Sequence, residues 1–204
     1  MNHISLFYEE ALYNQGFHFI AGVDEAGRGP LAGPVVAAAV ILPKGIVLDG
    51  TNDSKKLSPA KRNSMEIKIK EAAVCYAIGI VEPEEIDRVN ILKATLLAMK
   101  TAVEKLKPSA DAVLVDGIFA PDVAMYTQCV KSGDAVCQAI AAASILAKVH
   151  RDRIMDALHE QYPQYGFNAH KGYPTAAHRD ALKKYGLCPA HRKTFKYKEN
   201  EHGQ

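Results

Sequence analysis

Phe17-His18-Phe19-Ile20-Ala21-Gly22-Val23 runs into Asp24-Glu25-Ala26-Gly27-Arg28-Gly29-Pro30, and a second apolar run, Pro34 to Leu42, follows at once. The first segment is short and partly alternating, which predicts a strand. The two glycines and the proline after it read as a tight turn. The second run carries no charged residue and stops at Pro43 and Gly45, the pattern of a strand buried on both faces. Farther along, Ser58-Pro59 reads as an N-cap with proline in the first helical turn, opening a helix to about Ala73. Cys75 to Val81 predicts a third strand. Asn90 caps a helix whose Leu92, Leu96, Met99, Val103 and Leu106 recur at helical spacing. Ala112 to Val115 is a short strand closing on Asp116-Gly117, and Met125 to Val130 is another. Val136 to Leu158 predicts one long alanine-rich helix, and a last helix falls near Ala176 to Tyr185. Strands first, then strands alternating with helices, give an α/β or α+β layer with helices packed on a mixed sheet.

Length and composition set the frame. The chain has 204 residues, of which 48% are hydrophobic and 24% charged, the proportions of a globular domain rather than a disordered or coiled-coil chain. Its four cysteines form no C-x-x-C pair and no apolar signal segment opens the sequence, so a reducing cytoplasm is the expected compartment. No apolar run approaches the ~20 residues that span a bilayer. The net charge is only +2, but eight Lys or Arg lie between His170 and Lys198 against one acid, Asp180. Such a stretch suggests a polyanionic partner, and is equally what a solvated basic helix looks like.

Four acids fall where such a sheet would carry its chemistry. Asp24 and Glu25 end the first strand, Asp116 ends a later one, and Asp134 precedes the long helix. Ligand sites of open α/β sheets lie beyond strand ends. Carboxylates gathered there repel one another unless a hard divalent cation such as Mg²⁺ or Mn²⁺ offsets their charge. Each acid also has a plain structural reading, as a turn residue bonding its own backbone or, for Asp134, as an N-cap. Asp24 and Glu25 would face opposite sides of a regular strand, so both can serve one site only if the strand ends there. Gly27 to Gly33 is neither a dinucleotide fingerprint nor a Walker loop. It reads as a turn whose amides and Arg28 side chain can hold a phosphate or a sugar hydroxyl. Lys55, just before the first helix, is a phosphate contact or part of a solvated turn. Ser144, Lys148 and Arg151 follow one another along the long helix. The rise of a single helix puts Lys148 roughly 20 Å from Asp134, and so on a distant phosphate rather than at the metal site.

Several blocks together resemble bacterial ribonuclease HII. They are Gly22 to Val36, Asn52-Asp53-Ser54-Lys55-Lys56-Leu57, Val115-Asp116-Gly117, Ala142 to Val149, Tyr165-Gly166-Phe167, His170-Lys171-Gly172-Tyr173-Pro174-Thr175 and His191-Arg192-Lys193-Thr194-Phe195. The resemblance runs in order from about residue 20 to 196. It implies a ribonuclease H-like fold, a five-stranded mixed sheet flanked by helices with a C-terminal helical segment. Residues 1–16 would be an N-terminal extension and 17–204 the ribonuclease HII domain, with sheet and helices to about 160 and the basic segment after it. The implied activity is endonucleolytic cleavage of the RNA strand of RNA–DNA hybrids and of single ribonucleotides in duplex DNA. The cut would fall 5′ to the ribonucleotide and leave 5′-phosphate and 3′-hydroxyl ends. The resemblance further implies that Asp24, Glu25, Asp116 and Asp134 hold metal, that Gly27, Arg28 and Gly29 read the 2′-hydroxyl, and that Tyr173 stacks on the neighbouring deoxyribose. Lys131-Ser132-Gly133-Asp134 has one serine more than the family's Lys-Gly-Asp, although the ten-residue interval from Asp134 to Ser144 is kept. The expectation is a monomeric hydrolase using two Mn²⁺ or Mg²⁺ ions. Its rivals are a nucleic-acid binder without catalysis and another metal-dependent nuclease or phosphatase on the same sheet.

Overall fold

The computed structural model describes residues 4–51 and 57–196. Lys55 and the rest of the 52–56 block, like Lys198, lie outside the described residues. In chain order the elements are α1 (Phe7–Asn14), β1 (Ile20–Ala26), β2 (Val35–Ile41), α2 (Pro59–Ala72), β3 (Cys75–Val81), α3 (Pro83–Val89), α4 (Ile91–Glu104), β4 (Ala112–Asp116), β5 (Tyr126–Val130), α5 (Gly133–Val136), α6 (Gln138–Gln161), α7 (Phe167–His170) and α8 (Ala176–Tyr185). The five strands form one mixed sheet in the order β3-β2-β1-β4-β5. β1, β2 and β3 pair antiparallel, whereas β4 joins β1 and β5 joins β4 in parallel.

The fully apolar β2 is buried along its whole length because helices cover both faces of the sheet. Alternate residues Ala37, Ala39 and Ile41 pack with Ala98, Met99 and Val103 of α4, while Ala38 and Val40 pack with α2 and α6. On α4 the buried face is Ala94, Ala98, Met99, Ala102 and Val103, and Leu92 and Leu96 are only half-buried. Small residues face the sheet because helix and strand nearly touch: a Cβ on Gly79 of β3 would lie 1.9 Å from the Ala98 carbonyl oxygen. Helix α3 carries only Pro83 and Ile86 buried, too weak a pattern to read in advance.

Two sequence expectations need correction. β1 starts three residues late and continues through Ala26. The amides of His18 and Phe19 are taken by the Asp111 carboxylate, at 2.7 and 2.9 Å, while pairing with β2 carries the strand on to Ala26 opposite Val36. The long helix begins at Gln138 rather than Val136, after a break at Cys137 whose backbone is extended, and runs uninterrupted to Gln161. Glu9 of α1 holds this break: one carboxylate oxygen accepts from the Cys137 thiol at 3.3 Å and from the Ala139 amide at 2.9 Å. Helix α1 thereby anchors the start of α6, and Leu12 beside it is wholly buried.

Helix α6 crosses β1 at Gly22, where a Cβ would lie 2.1 Å from the Ala139 carbonyl carbon. Backbone on backbone leaves nothing to rotate away, so the helix would have to lift off the sheet. Gly22→Ala is expected to cost about 3 kcal/mol or more in a urea melt, the upper range for overpacking. A loss below about 1 kcal/mol would mean the helix slides without penalty.

Candidate active site

The parallel pairing of β1 with β4 sets the site. Their register ends at Val23 opposite Val115, so the next residues, Asp24 and Asp116, leave the paired region together. β4 stops at Asp116 while β1 runs on, which opens a gap beside β1. A solvent-open cavity of about 240 Å³ occupies it, lined by Asp24, Glu25, Gly27, Arg28, Gly29, Asp116, Ser144, Lys148, Arg151 and Tyr173. The condition set by strand geometry, that β1 must end at the acids, does not hold. Both acids line one cavity because it opens across the free edge of the strand.

Asp24 is buried, accepts from the Glu25 amide at 2.7 Å, and is hydrogen-bonded by Ser144 of α6. Burial, the Glu25 charge and the Asp116 charge, in that order, push its carboxyl well above the usual carboxylate range. Asp116 accepts from the Gly133 amide at 2.6 Å. Asp134, the next residue, is buried and is not among the cavity's lining residues. Lys148 is among them, because α6 passes the cavity at Ser144, Lys148 and Arg151. Its ammonium is bonded to Asp152 at 2.6 Å, so the cavity meets an already compensated charge.

Two buried arginines shape the glycine turn. Arg192 donates to the carbonyls of Gly27 at 2.6 Å, Arg28 at 3.0 Å and Gly33 at 2.9 Å. Arg151 donates to Ala32, Pro34 and Lys171, each at 3.0 Å. Burial lowers both guanidinium pKa values, Arg192 to about 9 and Arg151 to about 10. In a trans peptide the N–H opposes the preceding C=O. With the Gly27 and Arg28 carbonyls turned onto Arg192, the amides of Arg28 and Gly29 point the other way, as an anion or hydroxyl receptor requires. Gly27 has φ +98°, and a Cβ there would lie 2.1 Å from Arg151 Nε, so the turn needs glycine. The Arg28 side chain is half-exposed, 3.4 Å from Glu25. Tyr173 is 44% exposed with its ring edge against Gly29, 3.6 Å from where a Cβ would stand.

The C-terminal basic stretch is therefore not one solvated surface. Arg192, His178 and His191 are buried, and Lys171 is ion-paired to Asp156, while Lys183, Lys184 and Lys193 stay exposed.

The ribonuclease HII family model matches residues 21–198. The chain belongs to the ribonuclease HII family. Among its curated relatives, ribonuclease HII of Caldanaerobacter subterraneus is 56% identical over 93% of this chain and 78% of that one. Ribonuclease HII of Vibrio vulnificus strain YJ016 is 54% identical over 90% of this chain and 89% of its own. The crystal structure of ribonuclease H2 from Pyrococcus horikoshii superposes with a TM-score of 0.73 at 29% identity, covering 86% of this chain and 93% of that one. The five-stranded sheet with flanking helices is thus the ribonuclease H-like fold, and family membership makes the protein a metal-dependent endoribonuclease acting on RNA–DNA hybrids.

The residues present fit a divalent cation. Asp24, Glu25 and Asp116 are oxygen donors gathered on one cavity, and burial together with the neighbouring Glu25 and Asp116 raises the Asp24 pKa, a penalty on its ionised form that a bound cation would relieve. Among the described residues no group of three or more histidine, cysteine, aspartate or glutamate side chains stands arranged to hold a metal ion. Mg²⁺ and Mn²⁺ keep several waters and take one or two carboxylates plus substrate phosphate, and Asp24 and Asp116 on one cavity offer two. Among the described residues no helix is long and apolar enough to cross a membrane.

Proposed function

We propose that this ribonuclease HII cuts 5′ to a ribonucleotide, in hybrids and at single ribonucleotides within duplex DNA, with Asp24 and Asp116 as the principal metal ligands. Glu25 adds a third carboxylate and Asp134 a fourth. The supporting observation is the meeting of Asp24, Glu25 and Asp116 with the Gly27–Gly29 turn and Tyr173 on one cavity, which Asp134 does not line. When bound, a pair of Mg²⁺ or Mn²⁺ ions supplies an activated water and charge neutralisation at the departing 3′ oxygen.

The protein's own groups do the selecting. The Arg28 and Gly29 amides and the Arg28 side chain bind the 2′-hydroxyl and its adjoining phosphate. The 2′-hydroxyl is the one sugar group that separates RNA from DNA. Ser144 holds Asp24 in place, Lys148 borders the phosphate path, and Tyr173 lies flat on the neighbouring deoxyribose. Lys55 is a further candidate phosphate contact with no geometry to argue from. The enzyme acts as a monomer in this reading.

A duplex with one embedded ribonucleotide, incubated with Mn²⁺ and then with chelator, tests the proposal. Cleavage is expected at the 5′ side of the ribonucleotide only, dependent on metal and absent on all-DNA duplex. Binding without cleavage, or cutting of the all-DNA duplex, would overturn it. Tyr173→Ala is expected to slow cleavage at the lone ribonucleotide by about 5- to 150-fold, from a stacking contact worth about 1–3 kcal/mol. Its melting temperature should hold, because the ring is largely outside the core. A matching loss of stability would instead make Tyr173 a packing residue.

A further inference from the structure

Tyr173 stands on a chain of buried imidazoles that the proposed mechanism does not use. His178 and His191 are 0% and 2% exposed and face each other through their Nε2 atoms at 3.0 Å. His178 Nδ1 lies 2.9 Å from the Tyr173 carbonyl oxygen, and His191 Nδ1 lies 3.0 Å from the Cys188 amide nitrogen. The contacts order the protons in this row. A carbonyl only accepts, so His178 carries its proton on Nδ1 and leaves Nε2 bare. His191 Nδ1 faces the Cys188 amide at 3.0 Å, its thiol at 3.1 Å and its carbonyl oxygen at 3.3 Å, and it is the 3.0 Å contact with the bare His178 Nε2 that places the His191 proton on Nε2, leaving Nδ1 to accept from the amide. The direction therefore runs from the Cys188 amide through His191 and His178 to the Tyr173 carbonyl. Burial lowers the pKa of both rings, His191 to about 4, which keeps each neutral with the single proton this order requires.

The far end of the row is tied to the glycine turn. His191 pairs with Ala32 in an antiparallel bridge, Arg192 N–H donates to the Leu31 carbonyl at 2.8 Å, and Leu31 N–H donates to the Gly172 carbonyl at 2.8 Å. His170 stacks on His178 with ring centres 4.5 Å apart, and Phe167 meets His178 edge-on, so the rings have no freedom to turn.

We infer that His178 and His191 are positioning residues for cleavage, holding the Tyr173 peptide at a fixed height above the Gly27–Gly29 turn. This inference rests on the reading of Tyr173 as a substrate contact. The row links the two walls between which the sugar would lie, and it fixes the Tyr173 peptide where the Leu31–Gly172 backbone bond holds only its neighbour.

Two near-isosteric variants separate positioning from packing. In His178→Asn the amide nitrogen replaces Nδ1 and still donates to the Tyr173 carbonyl. In His178→Gln the amide group replaces Nε2, keeps the His191 contact and drops Tyr173. Each variant cuts the row at one point, Asn at His191 and Gln at Tyr173, so single-turnover cleavage of a lone ribonucleotide is expected to fall about tenfold in both, the worth of one hydrogen bond. In a Tyr173→Ala background the Gln substitution should cost nothing further. Cleavage near wild type for either variant, or a Gln loss that multiplies with Tyr173→Ala, would overturn the inference. Unimpaired cleavage by Tyr173→Ala alone would instead strike the reading of Tyr173, and the inference with it. If either His178 variant fails to fold, His191→Gln, which still donates to His178, should retain activity where His191→Leu loses it. Equal activity of that pair also overturns the inference.

Discussion

Asn in place of Asp24 is expected to lower cleavage by about 1,000-fold or more, while the metal-free protein melts at a temperature no lower than wild type. The rate follows from losing a carboxylate proposed to hold metal, whose charge stabilisation in phosphoryl chemistry is worth several kcal/mol. The stability follows from electrostatics. Asp24 is buried beside Glu25 and Asp116, and its ionised form is disfavoured in the fold. A carboxyl with a raised folded pKa binds a proton in the native state that the unfolded chain has released. Its contribution to stability is present at low pH and is lost as pH rises from about 4 through the raised value. Asparagine carries no charge, and its oxygen can still accept from the Glu25 amide. Melting curves of metal-free wild type should therefore decline across that window, and those of Asp24→Asn should decline less. Added Mn²⁺ should raise the wild-type melting temperature more than the variant's. A variant that cleaves within tenfold of wild type, or melts well below it at neutral pH, would remove Asp24 from this role.

Arg192→Met is expected to cost about 3–5 kcal/mol of stability and to abolish selection of the ribonucleotide. Methionine can occupy the same space, but three carbonyls lose their donor, two of them in buried bonds, and each buried unsatisfied group costs about 1–3 kcal/mol. Part of that is returned because the guanidinium no longer has to be buried, a cost visible in its lowered pKa. Lysine is a poor substitute, since one ammonium cannot reach three carbonyls in the planar fan that guanidinium offers. Lys183→Met, on the exposed face of α8, should stay within about 0.5 kcal/mol. Urea melts decide the matter. A loss under about 1 kcal/mol joined to a shallower salt dependence of binding would mean that Arg192 grips the duplex rather than the turn.

That contrast marks where the sequence could be read and where it could not. Strands β2 and β3, the caps at Ser58 and Asn90 and the start of α8 were legible because each rests on local rules, an unbroken apolar run or a side chain that caps its own helix. Asp24 and Asp116 could be proposed as neighbours because parallel strands end together, although only the register puts them on one gap. The clamps could not be read. Arg151 sits in an alanine-rich helix, and Arg192 in a basic stretch, and nothing local says that most of their partners are carbonyls more than a hundred residues away. The one available hint was Arg151 itself, a charge on the face of α6 that also carries Ser144. The pairing of His178 and His191, only 13 residues apart, is hidden for another reason: no local rule turns two histidines of a basic stretch inward onto each other. The break at Cys137 was hidden too, because it is imposed by Glu9 from the opposite end of the chain.

The bond from Arg192 to Gly27 spans 165 residues. A fragment that stops short of Arg192 can contain every strand from β1 to β5, yet it lacks the group that gives the turn its shape. In the proposed reading, discrimination is thus written by the last described stretch of the sequence, far along the chain from the acids it serves.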